Sequence, residues 1–286
     1  MSPRTVVVTD STAALPVELA ERRGIVVVPL KVLIGDQAYD EGSPEVSPTA
    51  VADALRAGER VSTSRVVPEV LARVYRGLAE AGVEEIVSVH LSGLVSGTYD
   101  SAIVAAKQAP VPVHTVDTRQ VAAATGYAAL AAADVLDAGG SASDAARAAR
   151  RRAALSQSYF YVDTLEYLRR GGRVNAASAF LGGALSVKPL LTLRDGKVTS
   201  LEKVRTSTKA LARLEELLVT AAGGQQVEVC IAHLGSPERA QTLADRVKER
   251  LAENLGGREP WLFEVGGVVG AHVGPGMVAG ALAPVL

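Results

Sequence analysis

The chain has 286 residues, a formal net charge of −1 and 48% hydrophobic residues. This length is enough for one large domain or two smaller ones with buried cores, and the composition excludes an intrinsically disordered chain. The balanced charge argues against a nucleic-acid-binding protein, and the single cysteine, Cys230, excludes an internal disulfide and a cysteine-rich zinc site.

The first half of the chain alternates strand and helix patterns. Runs of apolar, often β-branched residues predict strands at 5–9, 25–34, 85–91 and 113–116. Apolar spacing typical of helices occurs at 15–23, 69–81, 98–108 and 121–136. The turn residues Gly35-Asp36 predict a hairpin that extends through Tyr39. Strand–helix alternation of this kind predicts an α/β fold with a parallel sheet and helices on both faces.

A domain boundary is predicted after a helix at 142–154, which follows Gly139-Gly140-Ser141. The second half contains, in order, a strand at 159–162, a small-residue segment at 176–187, and a strand pair around Asp195-Gly196. A helix at 209–222, a strand at 227–232, a helix at 237–254 and a glycine-rich tail follow. We therefore predict two α/β domains, residues 1–154 and 155–286.

Two apolar segments bear on localisation. Residues 5–9 are too few for the core of a secretory signal peptide. Residues 265–286 would be long enough to cross a bilayer, but they include six glycines and two prolines and would form a poor transmembrane helix. We therefore expect a soluble, cytoplasmic protein without an integral membrane segment.

Hydroxyl-bearing residues occur at four predicted strand-to-helix junctions. They are Ser11-Thr12, the triplet 62–64, the segment 92–98, and Thr118. Each group alone is typical of helix N-caps. Since ligands of parallel sheets bind where the strands end and the next helices begin, the four groups together also fit an anion site. The pattern alone leaves both interpretations open.

The sequence does not match the motifs of three familiar kinds of reactive site. Residues 92–98 lack the spacing and the lysine of a nucleotide-binding P-loop. The glycines around Ser96 are in the wrong register for the Gly-x-Ser-x-Gly turn of hydrolases. The four histidines include no i,i+4 pair and no carboxylate that would complete a metal site. We therefore predict no metal and no cofactor.

His272 and Arg173 have the most unusual local contexts among the polar residues. His272 precedes Gly274-Pro275-Gly276, a turn that would hold an imidazole in a defined position. Arg173 follows Gly171-Gly172, and a turn there would direct its side chain either inward or to solvent.

Several separated motifs resemble those of the DegV family. Residues 163–173 (DTLEYLRRGGR) resemble the family signature, which continues at 179–182, Lys188-Pro189 and 195–197. The opening segment 9–13 (TDSTA) resembles the family's N-terminal motif. Thr63-Ser64, the triplet 96–98 and the His-x-Gly-Pro-Gly element at 272–276 follow in the family's order. The resemblance covers essentially the whole chain.

Several positions depart from the family's usual pattern. Ala14 stands where the family usually has Asp, and Gly93 stands where a second serine is usual. Residues 65–68 (RVVP) replace the usual Gln-Pro-Ser-Pro, so that Arg65, Val66 and Val67 differ from it. These differences leave open the local loop shape and the choice of ligand, and they keep the hydroxyl residues of the motifs in place.

The resemblance implies a two-domain DegV-like α/β fold, in which the C-terminal domain has a mixed or antiparallel sheet. It further implies a carrier of the FakB type that binds one long-chain fatty acid, with the tail buried and the carboxylate near the interdomain boundary. The carrier is not itself an enzyme. A separate ATP-dependent fatty acid kinase phosphorylates the bound carboxylate, which yields an acyl phosphate for phospholipid synthesis.

The resemblance also implies roles for individual residues. Thr63, Ser96 and His272 would bind the carboxylate, and Arg173, Ser64 and Gly97 would support them. Arg205 would contact the kinase. The tunnel that holds the tail would be lined by the small and apolar residues 176–185 and 265–281, although ordinary core packing explains those segments equally well.

Two other functions remain open. Ser96 as nucleophile and His272 as base would make a serine hydrolase or acyltransferase. The missing turn motif and the lack of an acidic partner for the histidine argue against it. A regulatory sensor that binds a small molecule without any transfer to a kinase is the third possibility.

Overall fold

The computed structural model describes residues 4–174 and 188–286. The predicted tail-lining segment 176–185 and the motif at 179–182 lie outside the described residues. The helices and strands in chain order are β1 (Thr5–Asp10), α1 (Val17–Arg22), β2 (Val26–Val28), β3 (Lys31–Ile34), β4 (Gln37–Asp40), α2 (Pro48–Arg56), β5 (Val61–Ser64), α3 (Pro68–Glu80), β6 (Glu85–His90), α4 (Thr98–Ala106), β7 (Val113–Asp117), α5 (Ala123–Asp137), α6 (Ala142–Leu155), β8 (Gln157–Tyr161), α7 (Glu166–Arg170), β9 (Lys188–Arg194), β10 (Lys197–Val204), α8 (Ser207–Ala222), β11 (Val227–His233), α9 (Pro237–Arg250), α10 (Ala252–Leu255), β12 (Trp261–Glu264), α11 (Gly267–Val273) and β13 (Val278–Pro284).

The described residues form two compact units. The first unit comprises residues 4–31 and 64–155, and the second comprises 32–63 and the described residues of 156–285. The change of unit after Leu155 lies one residue from the predicted boundary. Residues 32–63, which the sequence interpretation placed in the first domain, belong to the second unit. Their packing explains this, since α11 contacts α2 and the backbone oxygen of Val46 lies close to Gly267.

The first unit contains a four-stranded parallel sheet in the order β2-β1-β6-β7. Its core is rich in alanine, because α5 and α6 pack closely against each other and against the sheet through small side chains. The predicted α/β architecture with a parallel N-terminal sheet is confirmed. The predicted strands at 85–91 and 113–116 correspond to β6 and β7 within one residue at each end.

A buried chain of hydrogen bonds crosses this sheet from Asp10 at the end of β1. Asp10 Oδ2 accepts from His90 Nδ1 at 2.9 Å and from the Leu91 amide at 3.1 Å. The other imidazole nitrogen, Nε2, lies 2.8 Å from Ser88 Oγ, and Ser88 Oγ lies 2.7 Å from the Tyr75 hydroxyl. All four side chains are buried. Burial raises the pKa of Tyr75 to about 12, so that its hydroxyl stays a donor.

Ser88, His90 and Asp10 thus have the hydrogen-bond order of a hydrolytic Ser-His-Asp triad. Ser88 is 0% exposed and its hydroxyl also bonds to Tyr75, so a substrate has no access to it. The cluster is a structural crosslink between β1, β6 and α3. His90 is therefore a structural histidine in this arrangement.

The second unit contains a six-stranded mixed sheet in the order β10-β9-β8-β13-β11-β12. Neighbouring strands run antiparallel except for β11 and β12, which are parallel. Helices α8 and α9 cover one face and bury Leu214, Leu218, Leu243 and Val247 in a common core. The predicted mixed or antiparallel C-terminal sheet is confirmed. The predicted helix at 237–254 is two helices, α9 and α10, which are separated at Leu251.

The glycine-rich tail contributes a central strand, β13, with two different faces. Side chains alternate along a strand, and Val278 and Leu282 enter the core beneath α8. Gly280 lies on the same face, where a Cβ would come within 2.5 Å of Leu218. This face is ordinary core, so within β13 a tail-lining role stays a prediction for the opposite face only. Ala279 and Ala281 point to the opposite face.

Strands β3, β4 and β5 form a separate three-stranded sheet in the second unit, in the order β4-β3-β5. The predicted hairpin is present, since Gly35 and Asp36 join β3 to β4. Gly35 has a φ of 59° and donates its amide to the carbonyl of Arg60 beside β5. Within residues 4–174 and 188–286, no helix is both long and apolar enough to span a bilayer.

Candidate functional site

Thr63 and His272 meet in the second unit although 209 residues separate them in sequence. Thr63 lies in β5 of the three-stranded sheet, and His272 lies in the last turn of α11. Thr63 Oγ1 is 2.8 Å from His272 Nε2. The structure therefore joins two of the residues that the sequence interpretation placed at a carboxylate.

The Gly-Pro-Gly turn after His272 holds α11 against neighbouring elements. Gly274 has a φ of 74°, and a Cβ there would overlap the Tyr167 ring. Gly276 has a φ of 91°, and a Cβ there would overlap the Asp163 carboxylate. Lys188 Nζ in turn donates to Asp163 Oδ1 at 2.7 Å. The glycines thus permit both the backbone conformation and the close contact that fix the histidine.

His272 is held in its neutral form. Burial and the nearby positive charge of Arg173 lower the pKa of His272 from 6.5 to about 4. Its Nδ1 has no hydrogen-bond partner among residues 4–174 and 188–286. The tautomer with the proton on Nε2 avoids a buried N–H without an acceptor. In that tautomer Nε2 donates to Thr63 Oγ1, and the Thr63 hydroxyl hydrogen is available to an anion.

Gly171 forms the wall on the Nδ1 side of the imidazole. A Cβ at Gly171 would overlap His272 Nδ1 and lie 2.9 Å from Cε1. Gly171 follows α7 directly, and its amide donates to the carbonyl of Tyr167 at 2.9 Å. The glycine in this signature segment therefore makes room for the histidine ring, a role that the sequence interpretation did not assign.

A cavity of about 520 Å³ opens beside the Thr63–His272 pair. Its volume is within the range of small-molecule sites. All of its lining residues belong to the second unit, and they include hydroxyl, basic and aromatic side chains: Leu55, Gly58, Glu59, Arg60, Val61, Ser62, Thr63, Tyr167, Arg170, Gly171, Arg173, Ala271 and His272. The lining contains three arginines and one glutamate, and one of the arginines, Arg170, is paired with Glu166. The positive charge that is left favours a ligand that carries a negative charge.

Arg173 lines this cavity and is half-buried. Its backbone amide donates to the carbonyl of Leu168 at 2.9 Å, and its Nη1 donates to the carbonyl of Gly171. Burial lowers the pKa of the Arg173 guanidinium. The residue thus braces the turn at Gly171 and adds positive charge near His272.

The sequence model of the DegV family, described as "Uncharacterised protein, DegV family", matches residues 4–285 of this chain. The chain is 52% identical over 278 residues to the DegV domain-containing protein SCO2569 of Streptomyces coelicolor, covering 97% of this chain and 98% of that protein. It is 36% identical over 282 residues to a DegV domain-containing protein of Deinococcus radiodurans, covering 97% and 98%. The chain belongs to the DegV family.

Solved structures of DegV proteins are similar to this one over their full length. One is a DegV family protein from Thermus thermophilus described as binding fatty acid, with 34% identity and a TM-score of 0.90, covering 99% of this chain and 100% of that one. Another is DegV of Bacillus subtilis, described as a fatty acid binding protein, with 30% identity and a TM-score of 0.88 at the same coverage. The resemblance found in the sequence motifs is thereby confirmed at the level of family and fold.

Ser96 of this DegV chain lies in the first unit, two residues before α4 begins. Its Oγ is 3.1 Å from Thr98 Oγ1 and accepts from the Thr98 amide at 3.3 Å. Gly97 precedes α4, and a Cβ there would lie 2.8 Å from the side chain of Arg65. Ser64 is exposed and donates to the Arg65 carbonyl. The roles of Ser96, Ser64 and Gly97 at a head group stay predictions.

Arg205 lies on the surface of the second unit between β10 and α8. It is exposed, and it has no ion-pair or hydrogen-bond partner within the described part of the chain. The next residue, Thr206, caps α8 by accepting from the Lys209 amide at 3.2 Å. An exposed, unpaired guanidinium beside a helix start is compatible with the predicted contact to a kinase, which stays a prediction. No group of three or more His, Cys, Asp or Glu that could hold a metal ion occurs within residues 4–174 and 188–286.

The pKa of His272 predicts a pH-dependent stability. Between pH 6.5 and about 4, the unfolded chain binds a proton at this residue and the folded chain does not, so falling pH favours unfolding. We expect His272 to account for about 2 to 3 kcal/mol of stability lost between pH 7.5 and 4.5. Urea unfolding of wild type and His272→Gln at several pH values measures the difference. Equal pH dependence in the two proteins would contradict the assignment.

Proposed function

We propose that this protein binds one long-chain fatty acid as a carrier of the FakB type and presents its carboxylate to a separate ATP-dependent fatty acid kinase. The acyl phosphate so formed supplies phospholipid synthesis. The observation that carries the proposal is the Thr63–His272 hydrogen bond beside a cationic cavity, in a chain that is similar to fatty-acid-binding DegV proteins. Such a carrier needs no catalytic residue of its own.

The chemistry of the cavity suits a carboxylate that must later react. With Nε2 of His272 donating to Thr63, the Thr63 hydroxyl donates to one carboxylate oxygen, and the imidazole fixes its direction. A hydroxyl donor holds the anion without the bidentate clamp that an arginine would form. In this proposal Arg173 acts through Gly171 and His272, so that one carboxylate oxygen stays available for phosphorylation. Ser96 stays a second predicted donor.

The tail requires an apolar surface, and the second face of the mixed sheet offers one. Ala279 pairs in register with Phe160 and Ala232, and Ala281 pairs with Cys230, all on the face away from α8. Ala279 is only partly buried, although its strand has a neighbour on each side. The alanine side chains there are small and present little steric obstruction to a chain of methylenes. We propose that this face holds part of the tail.

The energetics favour the tail as the main source of affinity. Each buried methylene contributes about 0.8 kcal/mol, so a tail of about 14 methylenes contributes on the order of 11 kcal/mol before ordering costs. A hydrogen bond to a charged group adds only about 1.5 to 3 kcal/mol. The head-group residues therefore select the carboxylate and orient it, while the tail sets the overall affinity.

The hydrolase alternative has less support. A general base of this type is oriented by an acceptor at its second nitrogen, and His272 Nδ1 has no partner within the described residues. Its Nε2 is engaged with Thr63. A fluorophosphonate probe of active serines tests this alternative, and labelling that depends on Ser96 would favour it over a carrier.

The first test is denaturing extraction of the purified protein followed by mass spectrometry. We expect one long-chain fatty acid per chain, either as isolated or after incubation with exogenous fatty acids. An empty extract after both treatments would overturn the proposal. Transfer of phosphate from ATP to the fatty acid bound to the intact protein, assayed with a bacterial fatty acid kinase, then distinguishes a kinase substrate carrier from a sensor.

Thr63→Val tests the head-group contact, because valine keeps the shape of threonine and removes its hydroxyl. We expect the affinity for a fatty acid to fall about 10- to 100-fold and the affinity for the fatty alcohol of equal length to change little. Thr199→Val is the matched control, since Thr199 lies in β10 of the same unit, outside the cavity lining. An equal loss for acid and alcohol would place the carboxylate elsewhere.

A further inference from the structure

Helix α11, which carries His272, begins without a capping side chain of its own. The residue before it is Gly266, and the helix has seven residues, Gly267–Val273. The free amides at such a start need acceptors from elsewhere. Glu41 supplies one, since its Oε1 accepts from the Val268 amide at 2.7 Å across 227 residues of sequence.

The carboxylate of Glu41 lies directly against the backbone at this helix start. A Cβ on Gly266 would overlap Glu41 Oε1 and lie 3.0 Å from its Cδ. A negative charge at the start of a helix is favourable, and a hydrogen bond from an amide to a carboxylate is stronger than one to a neutral acceptor. The contact is therefore a close cap made by a distant part of the chain.

Both ends of α11 are held by the same small sheet. Glu41 directly follows β4, and Thr63 lies in β5, with β3 between these two strands. Glu41 contacts the first turn of the helix and Thr63 contacts His272 in its last turn. A helix of seven residues is about 10 Å long, so a shift at its start moves its end as well.

The geometry points to Glu41 as a positioning residue for the proposed carboxylate site: its cap on α11 sets the place of His272 and thereby directs the Thr63 hydroxyl toward the ligand. This inference rests on the proposed function. It assigns a head-group role to a residue that lies outside the cavity lining.

The test compares the affinities of wild type, Glu41→Gln and Glu41→Ala for a long-chain fatty acid and for the alcohol of equal length. Loss of a helix cap changes an equilibrium constant about five- to tenfold. We expect Glu41→Ala to lower the affinity for the acid by that factor and the affinity for the alcohol by less than about twofold. Glu41→Gln keeps an acceptor oxygen, so it should retain most of the wild-type affinity for the acid. Glu45→Ala, an exposed carboxylate on the same loop, is the matched control.

A cap with a purely structural role would lower the thermal stability and weaken acid and alcohol binding equally, and that result would overturn the inference. A second readout is the ¹⁵N spectrum of His272 in the ligand-free protein. We expect a protonated Nε2 in wild type and Glu41→Gln, and a mixture of tautomers in Glu41→Ala. Identical spectra in all three proteins would also overturn it. If wild type binds neither acid nor alcohol, the proposed function fails, and the spectra still decide whether Glu41 positions His272.

Discussion

Replacement of Asp10 by alanine is expected to lower the free energy of unfolding by about 3 to 5 kcal/mol, the cost of breaking a buried charge-assisted cluster. The carboxylate accepts from His90 Nδ1, from the Leu91 amide, and from both the amide and the hydroxyl of Thr12. Alanine would leave these four buried donors without an acceptor. Urea unfolding followed by circular dichroism measures the loss.

The matched control for Asp10 is Glu80→Ala, since Glu80 is an exposed carboxylate in the same unit with no ion pair within the described residues. Its stability should change by less than about 0.5 kcal/mol. Tyr75→Phe removes only the hydroxyl at the end of this chain of hydrogen bonds. It should lower the free energy of unfolding by about 1 kcal/mol. If Asp10→Ala were no less stable than Glu80→Ala, water would be replacing the carboxylate, and the cluster would not be the crosslink described above.

Gly171→Ala is expected to lower fatty-acid affinity about 10- to 100-fold, the amount of one lost hydrogen bond to a charged group. The added Cβ would overlap His272 Nδ1, so the imidazole must rotate or move, and the Nε2–Thr63 bond is lost. Gly171 has a φ of −73°, so alanine is compatible with the backbone itself. The effect therefore reports on the histidine and not on strain in the turn.

Gly172→Asn is the control for this substitution. Gly172 has a φ of 70°, which asparagine tolerates better than most residues, and open space surrounds a Cβ there. We expect fatty-acid affinity to change less than about threefold in this variant. Isothermal titration of both variants with a fatty acid and the matching alcohol provides the comparison. Unchanged acid binding in Gly171→Ala would remove His272 from the head-group site.

Local pattern was sufficient for much of the first unit. Strands β1, β6 and β7 are rich in β-branched residues, and α3 has clear helical spacing, so local pattern alone predicts them to within a few residues. The motifs at 163–173 and 272–276 also distinguish Arg173 and His272 from the other polar residues of the chain. Gly171 belongs to the first of these motifs, but only the packing distance to the imidazole shows its purpose.

Tertiary structure decided what local pattern leaves undetermined. Residues 265–286 have too many glycines for a helix or strand signal, yet they form α11 and the central strand β13. For β13 the reason is that Gly280 allows Leu218 to approach and that the neighbouring strands supply the hydrogen bonds. The assignment of 32–63 to the second unit and the contacts of Glu41 and Thr63 with α11 join residues more than 200 positions apart. By itself the sequence determined the fold class and the family, and it predicted the type of residues at the proposed site. The pairing of Thr63 with His272 arises only when long-range packing brings two distant segments together, and short-range periodicity carries no information about such contacts.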